Sequence, residues 1–362
     1  MKNYVKKNWL RVFNFYKRLK YLFLYRNLNN LKKLFAISLF CFSFFANAQT
    51  GTNVYQFLNV PISARQAVLG GDAVSVRDYD VNFAAINPAL MNLDMDNRIA
   101  LNYSSYLADS KLGSINYVKD LESGHLISVN ARVMDFGKIP RTDESGQVNG
   151  EFSAMDASVG LGYAYQFEDN FTIGANVNYI TSKIDNFSSA AISASAGVTY
   201  HNERTKETLA LVFRNFGYQF QTYNGLRENL PFRADLGYTK ILPEFPLAFT
   251  ITYHDLQQFN ISQTYNVNGQ EVGFGRKFLD HLSGGVELFP EQAFNLRMGY
   301  NVKRGNELAV LDQRSFAGLS FGFGIKISSF RFDYSHIRYH NASNVNQIGL
   351  MLDLVELAGY RR

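Results

Sequence analysis

From about residue 98 onward the chain alternates apolar and polar side chains with a period of two. In 157–167, Ala157, Val159, Leu161, Tyr163, Tyr165 and Phe167 share one face, and Ser158, Gly160, Gly162, Ala164 and Gln166 share the other. In 171–181, Phe171, Ile173, Ala175, Val177 and Tyr179 oppose Thr172, Gly174, Asn176 and Asn178. The same alternation runs through 126–134, 294–302 and 319–327. A period of two places successive side chains on opposite faces of a β-strand. About fourteen such strands are predicted, near 98–107, 112–118, 125–135, 155–167, 171–181, 189–200, 207–216, 232–241, 246–255, 279–289, 293–303, 315–327, 329–336 and 345–354.

Two all-β architectures accept this pattern. A soluble sandwich or barrel turns the apolar face inward; a transmembrane antiparallel barrel turns it outward to lipid and lines its lumen with small and polar residues. Many of the strands are about ten residues long, the length that crosses a bilayer at a tilt. Their apolar faces often begin or end in Tyr or Phe, as at Tyr163, Phe171, Tyr179, Tyr200 and Tyr238. The polar faces are rich in Gly, Ser and Asn. The connections after odd strands, chiefly 136–154, 217–231, 256–278 and 304–314, are longer than those after even strands. Such barrels alternate short periplasmic turns with long extracellular loops, so both ends of the barrel are expected on the periplasmic side. The expectation is a fourteen-stranded membrane barrel over 98–362.

The segment 49–97 lacks sustained alternation. Leu69-Gly70-Gly71 permits a tight turn, and Asn87-Pro88-Ala89-Leu90 reads as a helix start, with Asn as N-cap and Pro at the first helical position. It is either a periplasmic extension or a hatch or plug folded into the barrel, whose fourteen strands enclose more space than eight.

Charge changes the picture of the first 48 residues. The whole chain carries 36 Lys+Arg against 31 Asp+Glu, a net +5. Ten of the basic residues and none of the acidic ones lie in 1–48, so the remainder holds 26 basic against 31 acidic, a net −5. The basic stretch precedes an apolar run, Leu34 to Phe45, and then Ala46-Asn47-Ala48. That is the order of a secretory signal peptide cleaved after Ala48. The only Trp (Trp9) and the only Cys (Cys41) fall inside it, so the expected mature chain uses no disulfide or thiol chemistry. With the basic excess confined to a leader, no nucleic-acid partner is expected.

Candidate chemistry is sparse. His125, His201, His254, His281, His336 and His340 form no metal-ligand spacing, and no Gly-x-Ser-x-Gly elbow occurs. No enzyme activity, cofactor or metal is expected. Charges on predicted lumen faces, Arg132, Arg214, Arg233, Asp235, Arg297 and Lys326, are too costly to face lipid. They are candidates for pairing across the lumen or for holding the N-terminal segment.

Specific runs then point to a family. Phe57-Leu58-Asn59-Val60-Pro61-Ile62-Ser63-Ala64-Arg65-Gln66-Ala67 leads into Leu69-Gly70-Gly71, Asp80-Val81-Asn82, Asn87-Pro88-Ala89-Leu90 and Leu101-Asn102-Tyr103. Beyond it stand Thr142-Asp143-Glu144-Ser145-Gly146, Gly150-Glu151-Phe152-Ser153-Ala154, Arg214-Asn215-Phe216-Gly217, Arg227-Glu228, Leu230-Pro231-Phe232 and His254-Asp255-Leu256. Together these resemble the PorQ family of type IX secretion system outer-membrane proteins of Bacteroidetes. The Ser63-Ala64-Arg65, Gly70-Gly71 and Asn87-Pro88-Ala89 pattern is shared with the related PorV shuttles and, more loosely, with FadL-type transporters. The runs beyond residue 140 single out the PorQ family.

The resemblance implies a FadL-like fourteen-stranded barrel with an N-terminal hatch in the outer membrane, among its lipids. It also implies a non-enzymatic anchor for a PorZ-like protein in the attachment complex with PorU and PorV, which processes secreted cargo and joins it to lipopolysaccharide. The hatch motif would be Ser63, Arg65, Gly70, Gly71, Asn87, Pro88 and Ala89. Asp143, Glu144, Arg227, Glu228, His254 and Asp255 are candidates for extracellular loops that meet the partner. FadL-type transport of a hydrophobic small molecule and a PorV-like cargo shuttle are the alternatives. Many outer-membrane barrels end in an aromatic residue; here Tyr360 is followed by Arg361-Arg362, a departure from that signal.

Overall fold

The computed structural model describes residues 53–266, 268–307, 316–340 and 343–359. The leader with its cleavage site and the terminal Tyr360-Arg361-Arg362 lie outside the described residues. Fourteen antiparallel strands close into one barrel in which each strand pairs with its chain neighbours and β1 pairs with β14. The first seven are β1 (Arg98–Ser105), β2 (Lys111–Asp120), β3 (His125–Thr142), β4 (Val148–Glu168), β5 (Phe171–Ile184), β6 (Phe187–Asn202) and β7 (Glu207–Gln221). The others are β8 (Arg233–Leu242), β9 (Leu247–Tyr253), β10 (Leu282–Leu288), β11 (Phe294–Asn301), β12 (Leu319–Ile327), β13 (Phe330–His340) and β14 (Ser343–Asp353). Every strand expected from the alternation overlaps one of these.

The alternation has the membrane sense. On β4, Val159, Leu161 and Tyr163 are exposed, whereas Ser158, Gly160 and Gly162 between them are buried. The same holds for Ile173 and Val177 against Thr172 and Asn176, and for Leu296 and Met298 against Asn295 and Arg297. A ring of large apolar side chains on the outside has no aqueous rationale; it is a lipid-facing belt. Aromatic pairs border it: Phe167 with Phe171, Phe171 with Tyr200 and Tyr238 with Phe249 toward one rim, and Tyr179 with Phe220 toward the other.

Two rims differ sharply. Every connection after an even strand is short, as at 169–170 and 243–246, and the three long connections, 222–232, 254–281 and 302–318, all follow odd strands, while those after β1, β3, β5 and β13 are short as well. One expectation is corrected here. The stretch 136–154 is not a loop: β3 runs on to Thr142 and β4 starts at Val148, joined by a tip of five residues. Beyond Asp135 on β3 and Ala154 on β4, neither strand has a second neighbour, so the two continue as a free two-stranded ribbon. Both faces of the ribbon meet solvent, so nothing selects apolar residues at every second position and the pattern disappears.

Residues 53–97 lie inside the barrel. They begin beside the long-loop rim, where the Val54 N–H donates to the Asn229 carbonyl (3.0 Å), and end at β1 near the short-turn rim. Apolar side chains of this inner segment, among them Val68, Leu69, Val74, Phe83 and Leu90, form buried clusters with inward residues of the wall such as Val212. The predicted helix start at Asn87 becomes a single 3-10 turn, Pro88–Leu90. Asn87 Oδ1 caps it by accepting from the Ala89 N–H (3.1 Å), and extended Met91 ends it.

Candidate lumen site

The glycines of the barrel wall fix how closely the inner segment approaches. A Cβ added at Gly174 would lie 2.5 Å from the backbone of Pro88 and Ala89, and one at Gly299 would lie 1.9 Å from the Val68 carbonyl oxygen. Only glycine lets backbone meet backbone at these points. On the inner side, Gly70 and Gly71 both have φ of +89°, which turns the chain immediately after the helix α1 (Ala64–Val68). Ser63 caps that helix by accepting from the Gln66 N–H (3.3 Å).

α1 delivers Arg65 to the wall. Its guanidinium donates bidentately to Glu287 on β10, Nε to Oε1 at 2.9 Å and Nη2 to Oε2 at 2.8 Å. Its Nη1 stands 2.6 Å from Asp78 and 3.6 Å from Asp80, both in the inner segment. Glu287 also accepts from Arg297 Nε (2.6 Å), Arg297 Nη1 reaches Asp333 (2.5 Å), and Arg331 Nε donates to Asp333 (2.8 Å). Arg331 completes the circuit by donating to the Tyr79 hydroxyl, which returns it to the inner segment. Three arginines and four carboxylates thus alternate through a buried cluster. Planar, bidentate guanidinium–carboxylate pairing is the geometry that makes buried charge tolerable.

A second cluster lies nearer the long-loop rim. Asp72 of the inner segment meets Arg233 Nη2 (2.8 Å), accepts from Asn301 Nδ2 (2.9 Å) and lies 3.9 Å from His254 Nε2. Arg233 and Arg214 share Asp235, and Arg233 Nε also stands 3.4 Å from Asp255. Elsewhere Asn82 accepts from Asn102 Nδ2 (2.7 Å) and Asn116 Nδ2 (2.8 Å), and Asn87 Nδ2 donates to the Val74 carbonyl (2.9 Å).

The structure therefore brings Arg65, Arg214, Arg233, Asp235 and Arg297 into ion-pair clusters. Arg132 instead donates to the Leu58 carbonyl (3.0 Å), and Lys326 sits over the Tyr79 ring (4.5 Å). Asp143 and Glu144 are exposed at the ribbon tip. Arg227 stacks on Tyr218 (4.1 Å) beside Glu228. His254 and Asp255 need correction as partner-facing residues: the His254 side chain is 4 % exposed and both are turned inward to the Asp72 cluster. Their strand ends at the rim, but the buried arginine draws them in. Asp72, Asp78, Glu287, Arg331 and Asp333 escaped the sequence reading. The signal was present for the last three, which occupy inward positions between outward Val286 and Leu288, Phe330 and Phe332, and Phe332 and Tyr334.

At the long-loop rim a cavity of about 390 Å³ opens above the inner segment, lined by Phe57, Val60, Pro61, Tyr106, Met134, Phe136 and Tyr339 together with Asp72, Asp156 and Arg304. Among the described residues no group of three or more His, Cys, Asp or Glu is placed to hold a metal ion. The arrangement holds a segment in place.

No family model and no curated protein matches the chain. Solved structures do. The toluene transporter TodX of Pseudomonas putida is 13% identical, with a TM-score of 0.51 over 81% of this chain and 97% of its own. The monoaromatic hydrocarbon channel CymD is 11% identical, with a TM-score of 0.50 over the same shares. At such identities the similarity establishes the fold: a FadL-like, fourteen-stranded barrel.

Proposed function

We propose that the protein is an outer-membrane barrel that anchors a protein partner at the cell surface. The observation that carries this reading is the ribbon. β3–β7 run 14 to 21 residues, well past the lipid belt, whereas the other strands run 7 to 11. About 9–11 residues suffice to cross a bilayer. The surplus raises one side of the barrel into a wall, topped by Asp143 and Glu144 and flanked by Arg227 and Glu228. The runs around these residues are also the ones that resemble the PorQ family. On that resemblance the partner is a PorZ-like member of the type IX attachment complex with PorU and PorV, and the barrel itself performs no catalysis. The pinned inner segment supports an anchor over an open pore.

A second reading, passage of a small hydrophobic molecule, is favoured by the aromatic cavity at the rim and by the fold shared with a toluene transporter. Affinity purification of a tagged copy from outer membranes separates the readings. One stoichiometric PorZ-like surface protein is expected. Recovery of many cargo C-terminal domains would favour a shuttle. Recovery of no protein, with uptake of aromatics lost on deletion, would favour transport and overturn the anchor.

A further inference from the structure

On the lipid face of β9–β11 the apolar belt is interrupted by an open groove of about 450 Å³. Its walls are Ile251, Leu282, Val286, Met298, Tyr300 and Val302, and its floor is backbone around Gly284. Ser283 is buried, and a Cβ on Gly285 would meet Leu69 of the inner segment, so both point inward and Gly284 points outward. Its cross-strand neighbours, Ile251 on β9 and Tyr300 on β11, rise on either side of the gap it leaves. No residue of the inner segment lines the groove, so it faces lipid and not the lumen.

The strands beneath the groove are short. β9, β10 and β11 have 7, 7 and 8 residues, below the roughly 9–11 that a crossing strand uses. At the long-loop rim the apolar surface is continued by two helices, α2 (Phe274–Leu279) and α3 (Val302–Glu307). Phe278 packs on Tyr253 (ring centroids 5.2 Å apart), the cross-strand neighbour of Leu282, and Phe274, Phe278 and Leu279 are exposed. Charge begins where this surface ends. α2 carries Arg276 and Lys277 and no acidic residue. On α3, Lys303 reaches Glu307 (4.0 Å), and Arg304 turns over the Tyr339 ring (4.4 Å). Asp280 is buried and accepts from Ser262 (2.6 Å) and Asn306. Among the described residues Lys277 has no carboxylate within ion-pair distance.

A groove that is apolar along its length and basic at its rimward end has the polarity of a lipid, chain below and phosphate above. Left empty, its walls forfeit dispersion contacts that an acyl chain restores. A lysine at headgroup level attracts an anionic phosphate, and its aliphatic stem tolerates the apolar surroundings. We infer that the groove seats one acyl chain of an anionic, phosphate-bearing lipid from the leaflet on the long-loop side, with the phosphate at Lys277.

The test is fluorescence quenching of the purified full-length barrel in detergent, titrated with brominated-chain phosphatidylglycerol or phosphatidylcholine. Trp9 is the chain's single tryptophan, so Trp9→Phe gives a silent background. Phe249→Trp reports from the edge of the groove, and Leu161→Trp reports from the plain belt on β4. Phosphatidylglycerol should quench Phe249→Trp to saturation near one equivalent, while quenching of Leu161→Trp rises without saturation. Phosphatidylcholine should bind at Phe249→Trp about fivefold more weakly, the worth of one lysine at a lipid surface. Lys277→Gln, exposed enough to leave folding intact, should abolish that preference and keep the saturation. If Phe249→Trp does not fold, Ile251→Trp replaces it. Unsaturable quenching alike at both positions would mean annular lipid only and would overturn the inference. Equal binding of the two headgroups, or a preference that survives Lys277→Gln, would overturn it as well.

Discussion

Arg65 is the residue on which the inner segment turns. It is 4 % exposed, carries a full charge and meets three carboxylates from two parts of the chain. Removing one partner of a buried ion pair leaves the others uncompensated, which costs about 3–5 kcal/mol. Arg65→Met is therefore expected to lower the stability measured by urea unfolding in detergent by about that amount and to admit protease to 53–97. Arg65→Met with Glu287→Gln should cost less than the two single changes together, since the charges vanish in part as a pair; strict additivity would mean that the contact is incidental. At the other extreme of burial, Asp143 at the ribbon tip accepts from the Ser145 hydroxyl (2.7 Å) and the backbone N–H groups of Ser145 and Gln147 (both 2.9 Å). The Ser145 hydroxyl first, and then these backbone donors, hold its carboxyl below the ordinary aspartate range. The order they give the tip is present above that range and is lost as pH falls through the lowered value. Amide chemical shifts of Ser145 and Gln147 should titrate below the usual aspartate midpoint; titration at or above it would contradict the capping.

The elements divide by what surrounds them. Within the bilayer one face of every strand meets lipid and the other meets the lumen, so Leu161 and Gly162, or Met298 and Arg297, had to alternate, and all fourteen strands were readable. Past the belt both faces of β3 and β4 are wet, so residues 136–154 carry no period and read as a loop. The inner ion pairs were half legible. Arg297 and Arg233 stood out as charges on lumen faces, but Asp72, a partner of Arg233, sits in a segment without periodicity, where nothing local indicates what it meets. His254 and Asp255 looked like rim residues because the strand ends there. The topology gives a direct expectation: protease added to whole cells cuts within 222–232 or 254–281 and spares 169–170 and 243–246. The ribbon should resist better than its exposure suggests, since Lys138–Thr142 are paired with Val148–Ser153. Cleavage confined to the short turns would invert the orientation.

At the scale of the molecule, a barrel that closes on a pinned inner segment and raises one wall above the belt is suited to holding something at its rim. The charge balance agrees in sense. The basic excess of the full chain belongs to its first 48 residues and leaves a mildly acidic remainder. The apolar outer belt binds the barrel to lipid, while the polar wall of β3–β7 stays available above it. The most direct test places a photo-crosslinking amino acid at Glu144, at Glu228 and, as a control in a short turn, at Asn170, in living cells. The anchor predicts that Glu144 and Glu228 yield one discrete adduct with the same surface protein and that Asn170 yields none. No adduct from either rim position, or the same adduct from Asn170, would contradict it.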